Sequence, residues 1–384
     1  MKTKSLTQVC NITTGKLDAN AGIPNGKYPF FTCAPDPLRI DTFAFDDDVV
    51  LLAGNNAQGN FHIQRFKGKF NAYQRTYVIT ARDGYDIDYV KYSLELSLQH
   101  LKRIAQGSQT KFLTMQILDS FRVVDIPYNA QRHLIGSIRE VDSKISLNTC
   151  ICAELESMAK TLYDYWFTQF DFPDENGKPY RSSGGEMVWN DQLNLEIPKG
   201  WNVGQLSDIA NIAMGQSPAG ETYNENGNGM IFYQGCTDFG TRFPVPRVYT
   251  TAPTRFAKSG DILMSVRAPV GTLNVAIEDC SIGRGLAALN SIIGSQLYLW
   301  YTLAGFKQLF NVLDGNGTTF GSITKDTLYE TKVAIPNPVL VKSFEEIVQP
   351  IEQKIRIIEE ENRELTKLRD WLLPMLMNGQ ATVK

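Results

Sequence analysis

The chain repeats itself, and the repeat restricts the fold more than any single motif does. LTQVCNITTGK (6–16) lines up with LSDIANIAMGQ (206–216); Leu, Asn, Ile and Gly recur at the first, sixth, seventh and tenth positions. In the same order, DDVVLLAG (47–54) matches GDILMSVR (260–267) and GSQTKF (107–112) matches GNGTTF (315–320). SFRVVDIP (120–127) then matches ETKVAIP (330–336), and SKISLNTCICAELESMAKTL (143–162) matches QKIRIIEEENRELTKLRDWL (353–372). Five collinear matches with offsets of 200 to 213 mark a duplicated unit.

Each copy follows one plan. Strand-like runs (DDVVLLA, RTYVIT and FRVVDIP; MIFYQG, GDILMSV, LNVAI and KVAIP) are punctuated by Gly, Asn and Pro, and a long helix follows. Ile126-Pro127 and Ile335-Pro336 mark the handover, since a residue before proline resists the helical region. The expected class is α+β: two similar mixed globular domains joined by two long helices. The expected divisions are a head at 1–126, a helix at 127–168, a connector at 169–200, a second head at 201–337 and a second helix at 338–384.

The second helix carries a heptad with Phe344, Ile351, Ile358, Leu365 and Leu372 at a. Position d holds Ile347, Lys354, Glu361, Leu368 and Met375, with Val348 and Ile355 at e. The first helix has Leu134, Val141, Asn148, Leu155 and Leu162 at the matching spacing, flanked by Ile138, Ile145 and Cys152. Helices of this length span on the order of 50–60 Å, and two such helices from duplicated units are expected to pair as an antiparallel coiled coil. Asn148, Lys354 and Glu361 are expected inside the seam, restricting its register. In the alternative, each helix packs only on its own domain.

Composition excludes several classes. The six cysteines (10, 33, 150, 152, 236, 280) form no C-x-x-C, and the histidines (62, 100, 133) lie elsewhere. Neither a metal site nor a disulfide framework is expected, and the reading is of reduced buried thiols in a cytoplasmic protein. No signal segment and no membrane span is expected. Net charge is −3; residues 1–125 hold 15 Lys+Arg against 12 Asp+Glu, and residues 201–337 hold 9 against 10. No basic stripe stands out, so any nucleic-acid binding must rest on a few local cations or on a partner's.

No catalytic constellation is expected either. Gly283-Arg-Gly285-Leu-Ala-Ala288 has the spacing of a dinucleotide loop, but no Asp or Glu occurs from Gly285 to Lys307 to hold a ribose. Asp46-Asp47-Asp48 reads as a solvated turn before a strand. The copies instead differ in polar loops at equivalent places. Gly15-Lys16 stands against Gly215-Gln216-Ser217-Pro218, and Asn55-Asn56-Ala57-Gln58-Gly59 against Arg267–Gly271. Tyr73-Gln74-Arg75 stands against Ile282-Gly283-Arg284, and Gly107–Lys111 against Gly315-Asn316-Gly317-Thr318-Thr319. Arg suits guanine, Asn and Gln suit adenine, and Ser and Thr suit phosphate. The candidate DNA contacts are therefore Lys16, Asn55, Asn56, Gln74, Arg75, Lys111, Gln216, Ser217, Arg267, Arg284, Asn316, Thr318 and Thr319. A protein-binding scaffold with two heads is the alternative.

These features together resemble the specificity subunit of a type I restriction–modification system. The resemblance rests on LSDIANIAMGQSP after IPKGW, on GDILMSVRAPVGTLNVAIEDCSIGRGLAAL and on GNGTTFGSITKDTLYETKVAIPNP. It also rests on the connector YDYWFTQFDFPDENGKPYRSSGGEMVW and the closing LTKLRDWLLPMLMNGQ. It implies two target-recognition domains, each reading half of a split, asymmetric site in double-stranded DNA, on an antiparallel coiled coil that sets the spacing. It implies two methyltransferase partners and an ATP-dependent restriction and translocase partner. S-adenosylmethionine and ATP would then sit on those partners, with no cofactor and no catalytic site on this chain. The helix positions Leu134, Val141, Leu155, Leu162, Ile351, Ile358, Leu365 and Leu372 would serve the coiled coil and its partners. The first head departs from the pattern, with Gly15-Lys16-Leu17-Asp18 where the second has Gly-x-Ser-Pro, and NAYQR (71–75) where the second has SIGRG.

Overall fold

A computed structural model describes residues 2–57, 59–107, 110–315 and 322–377, side chains of 307–315 excepted. The chain packs as two units, Met1–Ser146 with Arg363–Lys384, and Leu147–Asn362.

In the first unit, β1 (Cys10–Thr14), β2 (Tyr28–Phe31), β3 (Leu38–Ile40), β4 (Phe45–Ala53), β5 (Ile63–Ala72) and β6 (Thr76–Ala81) form one sheet in the order β1-β6-β4-β5-β2-β3. The apolar run Val49–Ala53 makes β4 a central strand buried on both faces, as its lack of alternation requires. Asp46, Asp47 and Asp48 do not form the expected turn. They extend β4 outward opposite Lys69, Gly68 and Lys67, because the neighbouring strand supplies cations and Arg65 pairs with Asp48.

The second unit uses β7 (Ala210–Met214), β8 (Met230–Tyr233), β9 (Ile262–Ser265), β10 (Leu273–Val275), β11 (Cys280–Ile282) and β12 (Leu286–Ser291). The register of the two copies is the same. Val50, Leu51 and Leu52 oppose Ile79, Val78 and Tyr77, as Ile262, Leu263 and Met264 oppose Leu289, Ala288 and Ala287. Phe31 lies parallel to Ala72 as Tyr233 lies to Ile282. The ten-residue β5 of the first unit corresponds to two strands, β10 and β11, in the second. Between those two strands the Ser259 N–H donates to Asp279 Oδ1 at 2.9 Å and its hydroxyl to the Ile277 carbonyl at 2.6 Å, and the second unit holds a four-stranded and a five-stranded sheet in place of one.

This register moves two of the sequence alignments by one residue. Val50 corresponds to Ile262, so Gly54 matches Val266 and not Arg267. Ala72 corresponds to Ile282, so Gln74 matches Arg284 and Arg75 matches Gly285. Similarity of apolar letters does not resolve a one-residue slip; backbone pairing does.

Two long helices complete the units: α1 (Tyr128–Tyr163), continued by a π-turn at Asp164–Thr168, and α2 (Pro338–Met377). In the first unit Ile135 and Ile138 share a core with Leu373, Leu376 and Met377. In the second, Ala159, Trp166 and Phe167 share a core with Val341, Phe344 and Val348. Phe344 is fully buried among the rings of Tyr163, Trp166, Phe167 and Tyr301, with centroids 5.1–6.4 Å away. Within that unit Asn148 meets Asn362 while Cys152 meets Ile355, so the helices run antiparallel.

The seam of α2 is not the expected a/d frame. Val348, Ile355 and Asn362 are buried, whereas Ile347, Lys354, Glu361 and Leu368 are exposed. The apolar stripe alternates steps of four and three from Phe344, so Val348 and Ile355, assigned to e, face inward and the d positions from Ile347 to Leu368 face out. Lys354 consequently stands in solvent. Asn148 is a buried polar residue of α1; its amide donates to Asn362 Oδ1 at 2.9 Å and to Glu361 at the rim at 2.7 Å.

Candidate nucleic-acid interface

Three loops of the first unit converge at one end of its sheet because their strands end there, and Lys111 joins them by pairing with Asn56. β1 leads from Thr14 into Gly15-Lys16. A Cβ on Gly15 would stand 1.8 Å from the Ala72 carbonyl oxygen, so only glycine permits this crossing. The Gln74 N–H donates to the Leu17 carbonyl at 2.9 Å, locking the β5–β6 turn against the Gly15 loop. The Gly54 N–H donates to the Arg75 carbonyl at 2.8 Å, and Asn55-Asn56 pair with Phe112-Lys111. Lys16, Gln74 and Arg75 are exposed, and Asn55, Asn56 and Lys111 are half-buried on the same rim. Lys102 and Asn60 join them, linked at 2.7 Å. Neither could be read from the repeat, because Lys102 arrives on the separate helix Leu98–Ile104.

The second unit builds the same end with other side chains. Gly215 crosses the Gly283 carbonyl, where a Cβ would lie at 2.1 Å. The Gln216 N–H donates to Ile282 at 3.0 Å, and the Arg284 N–H donates to Ser217 Oγ at 3.2 Å. The Val266 N–H donates to the Gly285 carbonyl at 2.9 Å, the counterpart of the Gly54–Arg75 bond. Ile323 donates to Val266 at 2.8 Å as Leu113 donates to Gly54 at 2.8 Å, so Arg267 takes the place of Asn55. Arg267, Ala268, Arg284 and Gly285 border a hollow of about 170 Å³ with Gln234, Gly235, Cys236 and Thr237. Gln234 and Thr237 were not legible as partners, since they follow a strand that pairs in parallel across some 50 residues. Asn316, Thr318 and Thr319, with Gln58, Ser108 and Gln109, lie outside the described residues.

The charges at this end stand open. Among the described residues Lys16, Arg75, Arg267 and Arg284 make no ion pair, whereas Arg65 is held by Asp48 and Asp88, and Arg247 by Asp238 and Glu225. Gly283-Arg-Gly285-Leu-Ala-Ala288 does not have the geometry of a cofactor loop. It joins β11 to β12, strand to strand, and no helix N-terminus follows to receive a pyrophosphate. All six cysteines are free; Cys10, Cys152 and Cys280 are buried, and burial pushes the Cys10 and Cys280 thiols up to about 12. Cys150 is exposed, so the expectation of buried thiols fails there. Among the described residues no helix is long and apolar enough to cross a membrane.

The profile of the type I restriction modification DNA specificity domain matches residues 1–157 and again 198–367. The chain belongs to this family. Its double match coincides with the two copies defined by register. The chain is 35% identical over 193 residues to a Methanocaldococcus jannaschii protein named for the MjaX type I restriction enzyme specificity subunit, covering 49% of this chain and 45% of that one. It is 30% identical over 226 residues to the type I restriction enzyme EcoDI specificity subunit of Escherichia coli, covering 55% and 49%. The chain thus spans about half the length of these two relatives. The fold is similar to that of the type I restriction–modification S subunit from M. genitalium, with TM-score 0.57 at 16% identity over 98% of this chain and 95% of that one.

Proposed function

We propose that this type I specificity chain is the DNA-reading subunit of a restriction–modification complex. Each unit presents its loop end to one half of a split, asymmetric site in double-stranded DNA. The observation that carries this reading is the shared loop end: one backbone register, held by matching hydrogen bonds, displays Asn55, Gln74 and Lys16 in one copy and Arg267, Arg284 and Gln216 in the other. A conserved frame with exchanged polar tips suits two sites that differ in sequence but share a geometry.

The chain itself performs no chemistry in this account. Methyltransferase subunits bring S-adenosylmethionine, and an ATP-dependent restriction subunit joins them in the cytoplasm. Solvent-facing apolar residues at matching helix positions support two copies of one partner: Leu147 and Met158 on α1 are 57% and 60% exposed, and their counterparts Ile357 and Leu368 on α2 are 61% and 42% exposed. Partner lysines and arginines would then supply most phosphate contacts, which fits a chain of net charge −3. The test is DNA retention by the chain co-expressed with a methyltransferase subunit. Retention that depends on a split sequence is expected. Retention without sequence preference contradicts the reading and favours a protein scaffold.

A further inference from the structure

The corrected register pairs residues that the repeat alone misaligned, and it gives the two loop ends different chemistry. Arg267 replaces Asn55, and Arg284 replaces Gln74, between flanking backbone hydrogen bonds that match in the two units, although the Gln74 N–H itself donates to the Leu17 carbonyl and the Arg284 N–H to Ser217 Oγ. At both positions the first unit offers a carboxamide and the second a guanidinium. Arg267, Arg284 and Gln74 are exposed and Asn55 is half-buried; none of the four side chains is held by a partner among the described residues. Resting on the DNA-reading role, we propose that the half-site of the second unit contains G·C pairs read by Arg267 and Arg284. The half-site of the first unit carries A·T pairs at the equivalent places, read by Asn55 and Gln74.

The chemistry is one of donor and acceptor patterns. Guanine shows two acceptors, N7 and O6, in the major groove, and a guanidinium fork donates to both. Adenine shows an acceptor beside a donor, which a carboxamide matches with its own donor and acceptor. Neither side chain satisfies the other's base with two hydrogen bonds. The backbone around the arginines admits this approach. Gly283 and Gly285 lie so close to Gln234 that a Cβ on either would stand 2.9 or 2.6 Å from its backbone. The turn therefore stays thin, with Arg284 as its one projecting side chain. Gln234 and Thr237, on the other wall of the same hollow, are placed to hold the pair once Arg267 and Arg284 have engaged it.

The experiment selects bound sequences from duplexes randomised over both halves, using the full chain purified with its methyltransferase subunit. Wild type is expected to enrich two separated half-sites. Arg284→Gln and Arg267→Asn are each expected to lower preference for one G·C pair about 10- to 100-fold in one half only, leaving the other half unchanged. Gln74→Ala and Asn55→Ala are expected to relax A·T pairs in the other half by a similar factor. Unchanged thermal midpoints establish that the variants are folded. Clear half-sites that keep every preference in the arginine variants, or that show no G·C pair where those variants act, overturn this assignment while leaving DNA reading intact. A wild-type pool with no enrichment overturns the DNA-reading role itself, and this assignment with it.

Discussion

At the scale of single residues, charge is used in two ways. Asp142 on α1 collects the Tyr92 hydroxyl at 2.7 Å, Lys91 at 3.2 Å and Arg369 at 3.3 Å within the first unit. Burial alone would raise its carboxyl, but the Tyr92 hydrogen bond and the two cations outweigh burial and hold it below the ordinary carboxylate range. A depressed folded pKa contributes stability that is complete above the unfolded value of about 4 and is lost as pH falls through the folded value. Urea midpoints read from a probe in the first unit are therefore expected to fall below about pH 4, and Asp142→Asn is expected to flatten that fall. An undiminished slope in the variant would assign the acid sensitivity elsewhere. Lys16, Arg75, Arg267 and Arg284 at the loop ends behave oppositely: among the described residues they make no ion pair. Residue types made those loops candidates for DNA contacts. Which residue stands in for which was not readable, because a one-residue shift leaves the apolar letters matched while moving Arg284 from Arg75 onto Gln74.

At the scale of elements, α2 differs most from the sequence reading. Both a/d and a/e frames fit its apolar residues, since Ile347 and Val348 are adjacent and both apolar. Packing selects Val348 at 0% exposure and leaves Ile347 at 49%. Of the three polar residues expected in the seam, Asn148 is buried and pairs with Asn362, whereas Lys354 and Glu361 face out. Phe344 anchors this helix in the second unit, so Phe344→Ala is expected to cost about 3–5 kcal/mol, measured by denaturant unfolding. Ile347→Ala is expected to change stability by less than about 0.5 kcal/mol, as for a surface site. Equal effects of the two would restore the a/d frame. Arg242 makes a second anchor. Its side chain is 1% exposed, forks onto Glu352 of α2 and lies 3.5 Å over the Trp300 ring. Arg242→Ala strands Glu352 and is expected to cost about 3–5 kcal/mol, whereas Arg242 and Glu352 replaced together by apolar residues are expected to cost far less.

At the scale of the whole molecule, duplication was the legible feature: two copies, the mixed α/β class and the helix after each copy followed from five short matches. The splitting of β5 into β10 and β11 was not legible, because the contacts at the break, such as Ser259 N–H to Asp279, join residues 20 apart in sequence. Nor were Gln234, Thr237 and Lys102 as neighbours of the loops, since parallel pairing and helix packing join residues far apart in sequence. The central claim is that one chain reads two different half-sites through one duplicated frame. Mapping modified adenines across the genome of a host that carries the complete system tests it most directly. Modification is expected to be confined to a two-part motif with a fixed gap and unequal halves, one of which loses definition in Arg284→Ala. Modification at a single continuous motif, or a two-part motif unchanged by Arg284→Ala and Gln74→Ala alike, would contradict it.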